Sequence, residues 1–299
     1  MQHKERPRGA QSTSPGGPVP GVPVAIALGP EYGPSQVSAT VSRGARTAGP
    51  VPDGRHHLLI PLSVLLSAAL LYGARLPFGA VLAVAAVFLA LYLAAPWLSR
   101  RSREAFDRDA LAIRARAEGR GPALEARLAR AWALRLFGAP ADVHARRGMI
   151  AEEAGRPRAA RDHYKRALEA WQGEPPLATL AGYARASYEC GDDVEAVVSL
   201  QKLVDRGTSL PRLHVRLAHA TLRAALPTES VGPWLDQAER EAHDENGRAE
   251  VALVRALSLA AKGDAKAARR ALEEAPLPDG APDRLRALRD EVKDAIERA

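Results

Sequence analysis

Hydrophobic positions are distributed unevenly along the chain. Residues 58–98 hold two apolar runs, broken only by Arg75 between Gly73 and Pro77. Each run is roughly 17 to 22 residues, the length one tilted helix needs to cross a hydrocarbon core of ~30 Å. Neither alternates an apolar stripe with polar positions, as a half-buried soluble helix does. The pattern predicts two transmembrane helices joined by a tight turn. Small residues four apart (Ser63 and Ser67, Gly79 and Ala83, Ala86 and Ala90) mark candidate faces for close packing of the two.

Beyond residue 102 the pattern changes to helical periodicity interrupted by short turns. Gly119, Gly155 and Gly191 are 36 residues apart, and Gly263 follows two periods later. The missing turn falls near Pro227, where residues 225–228 break two periodic stretches. Seven positions before each glycine stands a small residue: Ala112, Gly148, Ala184 and Ala256. Five positions after come Leu124, Ala160, Ala196 and Ala268. Nine after come Leu128, Tyr164, Leu200 and Leu272, and twelve after come Ala131, Ala167, Leu203 and Ala275. Offsets of five, nine and twelve share one helical face. The repeating unit is therefore an antiparallel helix pair, present about five times.

This arrangement resembles the tetratricopeptide repeat. The best unit is 141–172, with Gly148 on the first helix, a turn at Gly155 and Pro157, then Ala160, Tyr164 and Ala167 on the second. Units at 177–204 and 249–275 follow the pattern. Units at 106–137 and 211–240 depart from it, with Leu124 where a small residue is usual and Trp234 as a candidate large packing residue. The period is 36 rather than ~34, and most units lack the large aromatic early in the first helix. Another kind of helix-pair solenoid stays open. The resemblance implies an all-α protein, an α-solenoid over 102–281. The segment 282–299 is expected to be a terminal capping helix, with Leu285, Leu288, Val292 and Ile296 on one stripe of an otherwise charged helix.

Composition refines this picture. Residues 1–57 contain nine prolines and nine glycines and lack the apolar density to offset chain entropy, so a disordered tail is expected. The chain carries 42 basic and 35 acidic residues, for a net charge of +7. That excess is split between the tail and the rest, which argues against a single nucleic-acid-binding surface. Arginine outnumbers lysine 36 to 6, in keeping with a GC-rich, bacterial genome. Cys190 is the one cysteine, which excludes an intrachain disulfide. Arg43, Arg46 and Arg55 precede the hairpin, and Arg100, Arg101 and Arg103 follow it. Positive flanks favour the cytoplasmic side, so both termini are expected there, on a multi-pass protein of the bacterial cytoplasmic membrane. Trp97 and Tyr92 are expected near that interface.

No catalytic, cofactor-binding or metal-binding motif emerges. His56 and His57 lack further ligands. His163 is expected to face water, and His214 and His219, five apart, do not share a face. Asp192 and Asp193 open a helix, where acids suit the N-terminus. By the resemblance, the first helices of the pairs line a concave groove for a peptide segment of another protein. Its candidate residues are Arg146, Met149, Glu152, Arg185, Tyr188, Arg216, His219 and Arg223. Ala145 and Met149 stand where a carboxylate clamp of some family members would need polar groups, so that clamp is not expected. The expected function is a non-enzymatic scaffold, held to the bilayer through residues 58–98. The alternatives are a basic helical-repeat nucleic-acid binder or an accessory subunit of a membrane enzyme or secretion assembly.

Overall fold

The computed structural model describes residues 59–72, 78–115, 119–208, 210 and 212–299. The expected tail, Arg75, His56 and His57, and the arginines preceding the hairpin lie outside the described residues. Among those described, the chain forms thirteen α-helices and no strand.

α1 (Leu59–Tyr72) is 14 residues long, about 21 Å at 1.5 Å per residue. α2 (Phe78–Arg114) is 37 residues long and runs through Pro96. Over the described residues only α2 is long and apolar enough to cross a membrane, and 11% of its most apolar window is buried. A core helix of a soluble domain would be mostly covered. α1 packs against α2. The less exposed positions on the apolar half of α2 include Val81, Val84, Phe88, Tyr92, Ala95 and Ser99, whose spacings of three and four keep them on one face, with Ala80, Ala94 and Leu98 partly covered beside them. Gly79, Ala83, Ala86 and Ala90 are exposed, so the expected small-residue pairs of α2 are not its packing face.

α2 also continues without a break through 99–101, where the sequence pattern places the border of the apolar hairpin. Its second half is amphipathic. Phe106, Ala110 and Ile113 are buried against α3 (Arg120–Arg130) and α4 (Trp132–Phe137), around Leu124, Leu128 and Leu134. Ala112 is exposed, unlike the expected inward position, because the stripe through Phe106 and Ala110 turns it outward.

Four helix pairs follow: α5 (Pro140–Glu153) with α6 (Pro157–Glu169), α7 (Leu177–Cys190) with α8 (Asp193–Asp205), α9 (Leu213–Arg223) with α10 (Val231–Glu241), and α11 (Glu245–Ala261) with α12 (Ala265–Glu273). α13 (Asp283–Arg298) closes the chain. Each helix from α5 to α12 packs on the next, and first helices also touch, α5 on α7 and α9 on α11. The connections within pairs are short enough that paired helices must run antiparallel.

The turns share one hydrogen-bond pattern. Gly155, Gly191 and Gly263 take left-handed φ values of 65°, 77° and 80°. The amide of each next residue, Arg156, Asp192 and Asp264, donates to a carbonyl five residues back. This is the Schellman closure, for which glycine has no Cβ penalty. At the turn without glycine, Ala225 takes φ 49° and Leu226 bonds to Thr221 in the same way.

Packing follows the sequence offsets closely. Ala160, Ala196, Ala268 and Leu124 are fully buried, as are Ala184 and Ala256. Trp234 is half-buried and lies against two core clusters, one on each side of α10. Leu285, Leu288, Val292 and Ile296 of α13 are all buried.

Candidate functional site

The eight residues expected on the groove face fall into two clusters of intramolecular contacts. Arg146, in the first, donates to both carboxylate oxygens of Asp107 on α2, at 3.1 and 2.7 Å. It lies 5.8 Å from the Phe106 ring and within 3.4 Å of Asp142. Arg103 of α2 also reaches Asp142, at 3.1 Å. Further along, Arg114 of α2 reaches Glu153 at 2.6 Å, and the Glu153 carboxylate is only 2% exposed.

These contacts join residues 103, 107 and 114 of α2 to residues 142, 146 and 153 of α5, a constant separation of 39. Two helices paired in constant register run parallel. α5 therefore lies alongside the continuation of the apolar helix, its N-terminus toward the apolar end. Within the described residues α2 continues from its apolar half into contact with α3 and α4, and a ladder of ion pairs joins it to α5.

Glu152 and Arg185 pair between α5 and α7, both largely buried. The Tyr164 hydroxyl donates to Glu152 at 3.0 Å from α6. Burial raises the Glu152 carboxyl above its usual range, against the opposing influence of Arg185 and Tyr164. Burial, reinforced by Glu152, also raises the Tyr164 phenol. Met149 is half-buried and touches the cores on both sides of α5.

The second cluster centres on Tyr188 and His219. Tyr188 Oη lies 2.6 Å from His219 Nδ1, and His219 Nε2 lies 3.1 Å from Glu291 Oε2 on α13. An ionised Glu291 can only accept, so Nε2 carries a proton; in the neutral ring Nδ1 then accepts from Tyr188. Burial pushes the Glu291 carboxyl up, but the hydrogen bond and charge of His219, with Arg223 and Arg298, outweigh it and hold the group below its usual range. The guanidinium groups of Arg216 and Arg223 lie 5.8 and 5.2 Å from the Tyr188 ring. Arg223 also pairs with Asp193 at 3.1 Å. Burial raises the Tyr188 phenol.

The charged members of the face are thus held largely by carboxylates of the same chain. One other expectation changes. His163 does not simply face water: it is half-buried and stacks on His144, with ring centroids 6.0 Å apart, and burial lowers its basicity. Asp192 and Asp193 open α8 as expected, and their side chains, rather than capping it, reach across to Arg161 and Arg223. Their partners lie 30 or more positions away, beyond what a local pattern reveals. His214 and His219 do point apart, His214 meeting Glu241 of α10 at 3.0 Å. Cys190 ends α7, half-buried, with its thiol pushed up by burial.

Sequence reasoning missed a cleft of about 320 Å³ between α4 and the first turns of α5. It is bordered by Trp132, Arg135, Leu136, Val143, His144 and Arg147. Trp132 and Leu136 are each 54% exposed. The signal was present as an aromatic and an aliphatic residue four apart, beside the inward positions Ala131 and Leu134 and flanked by Arg130 and Arg135. Among the described residues, no group of three or more His, Cys, Asp or Glu could hold a metal ion. Compared with known proteins, the chain matches no family model, no curated sequence and no solved structure.

Proposed function

We propose that this chain is a membrane-anchored, tetratricopeptide-like α-solenoid that recruits another protein at the cytoplasmic face and performs no turnover. The observation that carries the reading is the continuity of α2. One helix supplies an apolar, exposed segment and then a ladder of ion pairs to the first helix pair. A binding domain joined this way holds a defined orientation to the bilayer, which a flexible tether would not impose.

The recurrence of helix pairs with a common turn supports the solenoid reading, and the buried stripe of α13 suits a cap with one face in water. α1 completes the proposed hairpin, which puts both termini on one side, and Arg100, Arg101 and Arg103 make that side cytoplasmic. The groove runs over α5, α7 and α9. With many of its charges already matched by internal carboxylates, it suits a segment of mixed polarity better than a polyanion. The same pairing weighs against nucleic-acid binding, which needs cations free to replace counterions.

The test is photocrosslinking of the full chain in native membranes, from a photoreactive residue at Met149 and, as an outward control on α6, at Lys165. One dominant protein adduct at Met149, absent at Lys165, is the expected result. Nucleic-acid adducts would favour the alternative. Equal labelling at both positions, or none at Met149, would remove the groove.

A further inference from the structure

The α4–α5 cleft belongs to no part of the groove, yet its position along α2 is defined. The stretch 79–98 covers about 30 Å at 1.5 Å per residue, one hydrocarbon thickness. Trp97 is exposed at its end, with the Arg101 guanidinium 5.3 Å from its ring. The 39-residue register sets Pro140, at the start of α5, level with Arg101. On α5 the cleft lining, Pro140 to Arg147, is thereby level with residues 101–108, about 5 to 15 Å beyond the end of the apolar segment, so its near end is at the height of a headgroup layer and Arg147 at its outer edge.

Its chemistry fits that height. Trp132 and Leu136 expose apolar surface where soluble helices normally present polar groups. An indole is favoured at a membrane interface, with an apolar body and a polar edge. The charged residues bordering the cleft, Arg135 and Arg147, are both basic, and no carboxylate borders it. The chain's own tail is a poor occupant, with six basic and three acidic residues in 1–57.

We propose that α4 and the start of α5 rest on the bilayer surface, with Trp132 and Leu136 entering the interface and Arg135 and Arg147 binding anionic lipid headgroups. The proposal rests on α2 spanning the membrane. Together the two contacts fix tilt as well as position, since one helix alone leaves the domain free to lean.

The experiment uses the full chain in vesicles of 70% shallow-brominated phosphatidylcholine and 30% phosphatidylglycerol. The chain has four tryptophans. One variant keeps only Trp97 (W132F, W171F, W234F), and a second keeps only Trp132 (W97F, W171F, W234F). Each is compared with its fluorescence in unbrominated vesicles. The Trp132→Phe single variant, in which the other three remain, guards against misfolding of the triple variants by the quenchable component it loses.

Both Trp97 and Trp132 should be quenched. Trp132 quenching should fall roughly twofold when phosphatidylglycerol is omitted, or in the Arg135→Glu, Arg147→Glu double variant. Quenching of Trp97 without Trp132, with no loss in the Trp132→Phe variant, overturns the surface contact and leaves the anchor standing. Quenching of neither overturns the anchor and this inference together. A Trp132 that ignores lipid but shifts on adding an acidic peptide assigns the cleft to a protein ligand and overturns the proposal.

Discussion

The pairs α5–α6 and α9–α10 solve the same packing problem with different residues. In the first, the Tyr164 ring sits between Gly148 of α5 and Gly182 of α7. A Cβ on either glycine would fall 2.8 or 2.4 Å from the ring. In the second, Trp234 is the large residue, half-buried between two cores, and Gly232 faces open space. The first pair closes its turn with Gly155, the second with Ala225 in the same left-handed conformation. A close glycine–tyrosine fit leaves little room for drift, whereas the looser pair keeps only the volume and the turn. What recurs along the chain is geometry, and residue identity follows where the fit is tight.

The largest expected effect tests the two aromatic anchors. Tyr164→Ala should cost about 3–5 kcal/mol and Trp234→Ala about half of that, because Trp234 is only partly covered. Thermal unfolding of the full chain in detergent reads this out at roughly 2–4 °C per kcal/mol. Equal losses would end the distinction between a tight and a loose pair.

Glycine substitution sharpens it. Gly182→Ala should destabilise by about 2 kcal/mol, since the methyl meets the Tyr164 ring. Gly232→Ala should stabilise by about 0.5 kcal/mol through helix propensity alone. The opposite signs are the prediction, measured in the same melts.

The turns should respond in mirror image. Ala225→Gly relieves a left-handed alanine and should gain about 1 kcal/mol, while Gly155→Ala should lose about as much. Loss of stability on Ala225→Gly would show that the side chain contributes more there than its backbone strain costs.

The smallest effects concern pH, and again the two regions should differ in sign. Glu152, near Tyr164, has a raised folded pKa. Its contribution is present below the ordinary carboxylate pKa of 4.5 and is lost as pH rises through the higher folded value. Glu291, against His219, has a lowered one. Its contribution is present above 4.5 and lost as pH falls through the lower folded value. Glu291→Gln should therefore flatten the acid limb of a stability–pH curve, and Glu152→Gln the limb above 4.5. Identical curves for both variants would contradict the assignment.

Much of the helical architecture was legible because its signals are local. Gly155, Gly191 and Gly263 announce turns by their freedom to adopt positive φ, and Ala160, Ala196 and Ala268 recur at the close approach of paired helices. The candidate face was less legible. Arg146, Arg185 and Arg223 read as groove cations, but their carboxylates stand on neighbouring helices, at Asp107, Glu152 and Asp193. Arg100, Arg101 and Arg103 read as the end of a membrane segment, and a flanking charge does not reveal that the helix continues.

The sequence by itself determined the helices, their turns and the apolar length of α2, since periodicity and backbone preference act over a few residues. Only the tertiary structure decided which charges are matched, which face of α2 meets α1, and that Trp132 borders a cleft with the start of α5. Those outcomes depend on the register between helices distant in sequence. Many side-chain contacts set that register jointly, and no single stretch of the chain contains them.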